Sequence, residues 1–176
     1  MKLLPTLALA FFLPSAVLAQ GAALAAEGTP DPAAPITALP EDVDETAVLD
    51  EVGGLLILDA TEADLDSFLW QLRPILLFAN TPADPAYEQQ LRVILERSEE
   101  FADRDVVLIV DTDPASASDA RQRLRPRGFM LAIIDKDGEV KQRRPSPRSA
   151  RELMAVIDRF PLRRQEMLDR RPSGRD

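Results

Sequence analysis

The 176-residue sequence predicts an α/β domain whose central mixed sheet of four to five strands is flanked by helices. Two continuous apolar runs, 74–79 and 105–111, are typical of parallel strands buried on both faces. Between them, apolar side chains recur at helical spacing over residues 84–102. A strand, a helix and a strand in this order imply a right-handed crossover and a parallel pair. Two extended runs around Asp137-Gly138 predict an antiparallel hairpin, so the sheet is mixed.

The first elements of the pattern are a short strand and a short helix. Residues 55–60 form an apolar run of strand length. Thr61-Glu62-Ala63-Asp64 resembles a capping box with Asp in place of Glu, and it predicts a helix through Leu69. Arg73-Pro74 ends this helix, because the residue before a proline is pushed out of the helical region.

The later helices are recognised by their first residues. Asp84 is expected to cap the long helix between the two strands, with Pro85 in its first turn, where the missing N–H is harmless. A second helical segment is predicted near 115–124. The hairpin then has a tight primed turn at Asp137-Gly138, and Ser149 begins a last helix with its apolar residues on one face.

Residues 1–19 are predicted to be a secretory signal peptide. Lys2 gives a basic start, Leu3–Leu13 is apolar, and Val17-Leu18-Ala19 is a small-residue cleavage site. The alternative is a membrane anchor, but the apolar run is interrupted by prolines and is shorter than the roughly 20 residues that span a bilayer. We therefore expect a periplasmic or secreted protein that is cleaved after Ala19, with Ala23-Leu24-Ala25 as a second cleavage site.

The absence of two residue types excludes several functions. The sequence has no cysteine and no histidine. Without cysteine there is no thiol peroxidase, no disulfide exchange, no thiolate metal site and no lipid attachment through an N-terminal cysteine. Without histidine there is no histidine metal centre and no hydrolase triad based on histidine.

Charge divides the mature chain into segments. Residues 20–46 form an acidic, Pro/Ala-rich linker, 47–168 the folded domain and 169–176 a polar tail. Between 27 and 66 there are 12 acidic side chains and no basic one, whereas 141–176 has 11 basic and 5 acidic side chains. The linker is either a solvated spacer or an arm that masks the Arg-rich end.

Several short stretches resemble a known family. They are Trp70-Gln71-Leu72-Arg73-Pro74, the strand 74–79, Asp105-Val106-Val107-Leu108-Ile109, Lys136-Asp137-Gly138 and Phe160-Pro161-Leu162-Arg163-Arg164-Gln165-Glu166-Met167. Over about residues 60–168 the chain is similar to the uncharacterised domain-of-unknown-function family numbered 4174. Its bacterial members look like exported proteins with one thioredoxin-like, peroxiredoxin-like domain. The resemblance implies a thioredoxin-like fold and an exported address, and it implies no activity.

The chain departs from the thioredoxin-like pattern at its chemical positions. An active dithiol would fall at Ala83 and Ala86, and a cis-proline would stand at Met130. The core pattern is kept while the redox residues are absent, which excludes dithiol chemistry. Related domains in animal extracellular matrix proteins imply binding or adhesion.

Two groups of candidate binding residues flank the central strands. Arg163, Arg164 and Gln165 come where the last helix ends or turns, so they are donors either to an acidic partner or to carbonyls at a helix end. Trp70 and Arg73 precede the first central strand, where the tryptophan is either a surface contact or a packing residue.

The loop from Asn80 to Pro85, beside Met130, is a third candidate. In one interpretation Asp84 only caps a helix. In the other, the loop and Met130 form a groove that holds an extended peptide through backbone hydrogen bonds, an inference that rests on fold analogy.

Asp111 and Asp113 lie at the C-terminal end of a predicted parallel strand, the end where open α/β sheets bind ligands. Two carboxylates there would either hold a hard cation or serve as turn and cap residues. We expect no cofactor and no metal site.

Together these patterns predict a noncatalytic binding module for an unknown protein or cell-envelope component. The alternatives are a carboxylate- or metal-dependent enzyme at the strand ends and a structural envelope protein. Nucleic acid is not expected, because the net charge is −9. An anionic lipid surface is a further expected partner, unless the basic residues after the hairpin are only a solvated helix start. Those residues are Arg143, Arg144, Arg148 and Arg151.

Overall fold

The computed structural model describes residues 48–170, which contain a six-stranded mixed sheet in the order β1-β2-β4-β3-β5-β6. The strands are β1 (Val48–Val52), β2 (Leu55–Asp59), β3 (Arg73–Phe78), β4 (Val106–Asp111), β5 (Met130–Ile134) and β6 (Val140–Arg144). The central strands β2, β4 and β3 are parallel, and β5 and β6 are antiparallel to their neighbours. Without β1, the order is that of a thioredoxin-like fold. The predicted fold is confirmed, with more strands than the predicted four to five.

The additional strand is β1, which pairs antiparallel with β2. Gly53 and Gly54 join the two strands, and both have positive φ angles, 56° and 77°. This is the conformation of a two-residue primed turn, which glycine adopts without steric cost. The predicted signal peptide and acidic linker, and most of the polar tail, lie outside the described residues.

The five α-helices of the described part of the chain are α1 (Pro85–Leu95), α2 (Ser98–Ala102), α3 (Asp119–Leu124), α4 (Ala150–Ile157) and α5 (Pro161–Asp169). Asp84 caps α1 by accepting from the N–H of Ala86 at 2.8 Å, as predicted. Ser149 caps α4, also as predicted, and Glu152 completes a capping box. The predicted helix over 84–102 is broken at Arg97, whose φ is −131°, so that α2 packs separately against β2 and β4.

The helix that begins at Ser149 is not the last, because α5 follows it. Two further local predictions are wrong. Thr61 does not begin a helix, because its hydroxyl and N–H both donate to Asp59 Oδ1, at 2.6 and 2.8 Å. Asp64 instead caps a single 3-10 turn, Leu65–Phe68. The β5–β6 loop is a three-residue loop, Lys136–Gly138, and only Gly138 has a positive φ in it. A turn closed by the bond from Gly138 N–H to Asp135 O, 2.9 Å, followed by a left-handed glycine, replaces the predicted two-residue turn.

The sheet is covered on both faces. On one face, α1, α2 and α4 bury Ile94, Phe101 and Leu153 against it. On the other, the 3-10 turn and α3 bury Phe68 and Leu124. Burial on both sides explains why β3 and β4 are continuous apolar runs rather than alternating ones. Among residues 48–170, no helix has both the length and the apolar character needed to cross a membrane.

Candidate functional site

The predicted site residues fall at opposite ends of the central strands. Trp70, Arg73 and the segment 163–165 lie at the amino end of β3. Asn80, Asp84, Met130 and Asp111 lie at its carboxyl end. The alternation of strand directions fixes this arrangement, because β5 runs antiparallel to β3 and begins, at Met130, beside the residue that ends β3.

At the amino end, Arg73 is fully buried and its guanidinium lies among carboxylates. Its Nε donates to Asp135 Oδ1 at 2.7 Å, and its Nη2 donates to Glu166 Oε1 at 2.7 Å. Its Nη1 donates to the carbonyl of Arg104 at 2.9 Å and lies 3.6 Å from Asp105 Oδ2. A planar guanidinium presents donors in fixed directions, so one side chain can hold several strands and a helix together.

A second layer of charge surrounds this guanidinium. Lys136 Nζ donates to Asp105 Oδ2 at 2.7 Å and lies 3.2 Å from Glu166 Oε1. We call Arg73, Asp105, Asp135, Lys136 and Glu166 the amino-end cluster. Two of its members are cationic and three are anionic, so the cluster has a formal charge of −1 before its surroundings are counted.

Arginines around the cluster balance this excess. Arg163 Nη1 lies 3.5 Å from Glu166 Oε2, and Arg170 Nη2 lies 3.5 Å from Asp105 Oδ1. Arg104 donates to both carboxylate oxygens of Asp158, at 2.9 Å each.

The pKa of Glu166 reflects these contacts. Burial raises it, but the hydrogen bond and charge of Arg73 and the charge of Lys136 lower it by more, so that the pKa lies below its ordinary value of 4.5. For Arg73, burial likewise lowers the pKa, and the contacts with Glu166 and Asp135 more than reverse this effect. Both groups therefore remain ionised at neutral pH. The one unsatisfied atom of the cluster is Asp135 Oδ2, which is buried and has no hydrogen-bond donor among the described residues.

Trp70 lies on the surface beside the amino-end cluster. Its side chain is 68% exposed, yet its φ is +65°, a conformation that a bulky residue rarely adopts. The backbone is held there by a 2.7 Å hydrogen bond from its N–H to the carbonyl of Lys136. Of the two interpretations of Trp70, the structure therefore shows the surface position.

The segment 163–165 belongs to α5, which Glu166 fastens to the cluster. Arg163 is only 7% exposed and faces Asp158 and Glu166, whereas Arg164 and Gln165 are exposed. Arg73 and Arg163 thus have internal partners, and neither is placed to contact another molecule directly. The predicted binding role for Arg164 and Gln165 stays a prediction, and the fold brings their helix to the same end as Trp70.

At the carboxyl end, Asp111 and Asp113 both have internal partners. Both oxygens of Asp111 accept hydrogen bonds, Oδ2 from Ser118 Oγ at 2.6 Å and Oδ1 from Arg121. Arg121 also donates to the carbonyl of Ala79 at 2.8 Å and lies over the ring of Phe78. Asp113 caps a 3-10 turn by accepting from Ala115 N–H at 2.9 Å. The structure thus shows the capping role that the sequence offers for Asp113.

The positions of the missing redox residues also lie here. Ala83 is exposed and Ala86 is half-buried in the first turn of α1, while Asp84 between them is occupied as the cap. Met130 is half-buried and pairs with Phe78, and no peptide bond among residues 48–170 is cis. Asn80 is exposed. Among the described residues there is no group of three carboxylates, histidines or cysteines that could hold a metal ion.

Sequence reasoning missed the partners that define both ends. Asp105, Asp135 and Lys136 at the amino end, and Arg121 at the carboxyl end, were not recognised as site residues. A signal was present at Arg73, since a charged residue beginning a fully apolar strand requires a buried counter-ion. The sequence does not say which of the 30 carboxylates supplies it.

The family model described as "Domain of unknown function (DUF4174)" matches residues 64–166. No curated protein matches the chain. The reduced 2-Cys peroxiredoxin of Plasmodium vivax is similar over 60% of this chain and 85% of its own, at 13% identity and a TM-score of 0.49. An uncharacterised thioredoxin-like protein from Clostridium perfringens is similar over 70% of this chain and 93% of its own, at 9% identity and a TM-score of 0.49.

Proposed function

The chain belongs to the DUF4174 family, whose description names no activity, and from this premise we propose that it is an exported, redox-inactive module that binds a protein partner through Trp70. Redox inactivity is supported by the absence of cysteine, with Ala83 and Ala86 at the positions of the dithiol. Export is supported by the basic start, apolar run and cleavage site in residues 1–19. The proposed address is the periplasm or the cell exterior.

The observation that carries the binding role is the combination of exposure and strain at Trp70. A left-handed conformation costs a non-glycine residue roughly 1–2 kcal/mol, and such strain concentrates at functional sites. The folded chain keeps this strained backbone at Trp70, although the exposed indole makes few packing contacts that could offset the strain. Tryptophan is also the residue type most enriched among the residues that dominate protein interfaces.

The amino-end cluster gives the backbone of Trp70 a rigid support. The hydrogen bond from the Trp70 N–H fixes this backbone to the carbonyl of Lys136, whose ammonium is held by Asp105 and Glu166. A backbone that is already held in one conformation loses less entropy on binding than a mobile one. The partner that suits this face has an apolar pocket for the indole and an acidic rim opposite the exposed Arg164.

The test uses the mature chain from Gln20 as bait in a periplasmic extract, beside Trp70→Gly. Glycine removes the indole and at the same time relieves the backbone strain, so this variant is expected to be more stable than Trp70→Ala by about 1 kcal/mol. A partner retained by the native chain is expected to be lost from both variants. Because glycine relieves the backbone strain at an exposed position, Trp70→Gly is expected to keep the native fold, so loss of the partner would report the missing indole.

The matched control is Leu49→Ala. Leu49 is 58% exposed, lies on β1 at the edge of the sheet and offers a similar apolar contact. This variant is expected to retain the partner. Retention of the partner by Trp70→Gly would overturn the proposed face.

Export is tested separately by expressing the full chain in a bacterial host and sequencing the N-terminus of the protein released by osmotic shock. The proposal predicts a chain that begins at Gln20. A full-length chain in the membrane fraction would instead support the anchor.

A further inference from the structure

A groove between β6 and α4 lies away from Trp70 and is lined by arginine. Its volume is about 400 Å³, within the usual range for small-molecule sites. The rim has four guanidinium groups and one carboxylate, a formal charge of +3 in a chain whose total is −9. These residues are Arg144, Arg148, Arg151, Arg159 and Glu152.

Strand geometry decides which basic residues reach this groove. Successive side chains of a strand point to opposite faces of the sheet. Arg144 therefore faces α4, whereas Arg143 faces α3, where its Nη1 donates to the carbonyl of Leu124 at 3.2 Å. The consecutive arginines of β6 thus belong to different surfaces, and Arg159, just after the end of α4, completes the groove in place of Arg143.

The guanidinium groups of the groove have few ionic partners. Within residues 48–170, neither Arg144 nor Arg151 forms an ion pair, and the only ion pair of Arg148 is a 3.8 Å contact with Glu152. Two of the groups have neutral acceptors: the side-chain oxygen of Gln142 accepts from Arg144 at 2.6 and 2.8 Å, and the carbonyl of Ala155 accepts from Arg159 Nε at 2.8 Å. Arg148 Nε is buried and has no acceptor among the described residues. Glu152 is already engaged, since its Oε2 accepts from the N–H and hydroxyl of Ser149 at 3.0 and 2.8 Å. The groove therefore contains guanidinium N–H groups that can donate hydrogen bonds to a ligand.

Its central arginine is also held in place from the core. Gln90 is fully buried in α1, and its side-chain amide spans the backbone of Arg148. Gln90 Oε1 accepts from Arg148 N–H at 2.6 Å, and Gln90 Nε2 donates to Arg148 O at 3.1 Å. A buried amide with both bonds satisfied fixes the start of the Arg148 side chain, which is the arrangement expected of a built site rather than of a solvated loop.

We propose that this groove binds the phosphate group of a small organic phosphate or a phospholipid head group. Guanidinium donors match phosphate oxygens in pairs, and several of them around one small groove suit an anion with concentrated charge. The groove also has Leu153 and Val156 among its lining residues, which would contact the apolar part of such a ligand.

An acidic peptide fits the groove less well. Carboxylates on one face of an extended peptide are about 7 Å apart, so they spread their charge along the chain. The acidic run of this chain is attached at β1, and β6 is the opposite edge of the sheet, five strand spacings away. At about 4.8 Å for each spacing, that run would have to cross about 24 Å. About seven extended residues span that distance, so the acidic run is tested directly as a competing occupant.

The experiment measures binding to two probes by the mature chain from Gln20. Glycerol phosphate is titrated calorimetrically, and vesicles of phosphatidylcholine with and without phosphatidylglycerol are tested by co-sedimentation. Arg144→Gln and Arg151→Gln are expected to weaken binding about tenfold each, because each removes a charge-assisted hydrogen bond. Arg143→Gln is the matched control, with the same charge change on the neighbouring residue of the same strand. It is expected to change affinity by less than about twofold, since it faces the other surface.

A gain of affinity provides the control against misfolding. Glu152→Gln removes the only carboxylate of the rim, while a glutamine can still complete the capping box of α4. Binding is expected to strengthen several-fold, and loss of structure cannot produce that result. Binding of glycerol phosphate alone assigns a soluble phosphate, and binding only of phosphatidylglycerol vesicles assigns a lipid head group.

Three results would overturn the proposal. The first is that neither probe binds. The second is that Arg143→Gln weakens binding as much as Arg144→Gln does. The third is that a peptide with the sequence of residues 41–45 binds in an Arg144-dependent way while the phosphate probes do not. The residues tested are separate from Trp70, so each result leaves the proposed protein-binding face unaffected.

Discussion

The amino and carboxyl ends of β3 and β4 differ in the number and pairing of their buried charged side chains. At the amino end, three carboxylates and two cations are packed together, and Trp70 and Asp105 both have positive φ angles. At the carboxyl end, one pair, Asp111 and Arg121, closes the sheet and small residues occupy the dithiol positions. The two ends of one sheet therefore differ in charge: the amino end concentrates buried ionised groups, and the carboxyl end has a single buried ion pair.

The largest effect that would separate the two ends is expected from Arg73→Gln. This change leaves the carboxylates of Asp135 and Asp105 buried without the guanidinium that pairs with them. Breaking a buried ion pair in this way lowers the free energy of unfolding by about 3–5 kcal/mol. Urea unfolding followed by far-UV circular dichroism would measure the change. The exposed pair of Arg97 and Glu100 supplies the control, since Arg97→Gln is expected to cost less than about 1 kcal/mol. Equal costs for the two variants would show that the cluster contributes no more than a surface ion pair.

The carboxyl end is expected to respond less strongly. Arg121→Gln removes the counter-ion of Asp111 but leaves the hydrogen bond from Ser118, and Asp111 lies nearer to solvent than Asp135. A loss of about 1–3 kcal/mol in the free energy of unfolding is expected from a buried group that loses one partner. The same denaturant experiment tests this value. A larger loss of unfolding free energy for Arg121→Gln than for Arg73→Gln would show that the carboxyl end depends more on its buried ion pair than the amino end does.

Two glycines provide a smaller and closely matched comparison. Gly138 has a φ of +78°, and a Cβ there would lie 2.7 Å from Leu69 Cδ2 in the segment that leads to Trp70. Gly128, before β5, has a φ of +77° and no atom within 4 Å of such a Cβ. Gly128→Ala is expected to lose about 1 kcal/mol from backbone strain alone, and Gly138→Ala about 1–2 kcal/mol, since the leucine must also move. Thermal melts of the two variants would detect the difference, and identical melting temperatures would argue against tight packing of the β5–β6 loop.

The smallest expected effect concerns acid. The folded-state pKa of Glu166 is depressed below 4.5, so its contribution to stability is present above that pH and is lost as the pH falls through the folded value. Arg73, Lys136 and Arg163 are the charged groups that face it. Unfolding of the native chain and of Glu166→Gln, measured at neutral pH and below pH 4.5, should show the larger acid-induced loss in the native chain. Parallel losses would mean that Glu166 is not held by these cations.

Much of the fold could be predicted from local patterns. The apolar runs of β3 and β4, the cap at Asp84 and the capping residue Ser149 each depend on residues within a few positions of one another. The missed strand β1 had such a signal in Gly53-Gly54, but its sequence, Val-Leu-Asp-Glu-Val, lies in an acidic region and has only five residues. The predicted two-residue turn at Asp137-Gly138 is wrong because Asp-Gly fits both a two-residue primed turn and a longer loop that ends in a left-handed glycine.

The candidate site was less accessible to such reasoning. The partners of Arg73 lie 31, 62 and 93 residues along the chain, so only the assembled sheet brings them together. The separation of Arg143 from Arg144 likewise depends on the strand assignment rather than on charge count. The sequence identifies Trp70 as a candidate from its residue type alone. It does not predict the left-handed backbone, which depends on a bond to Lys136, 66 positions away.

The most direct test of the central claim is hydrogen exchange of the native chain with and without its captured partner. If the amino end is the recognition face, amide protection should increase around Trp70 and along the exposed side of α5, and it should disappear with Trp70→Gly. If protection increases only from Asn80 to Pro85 and at Met130, the groove at the carboxyl end binds the partner. That result would contradict the account.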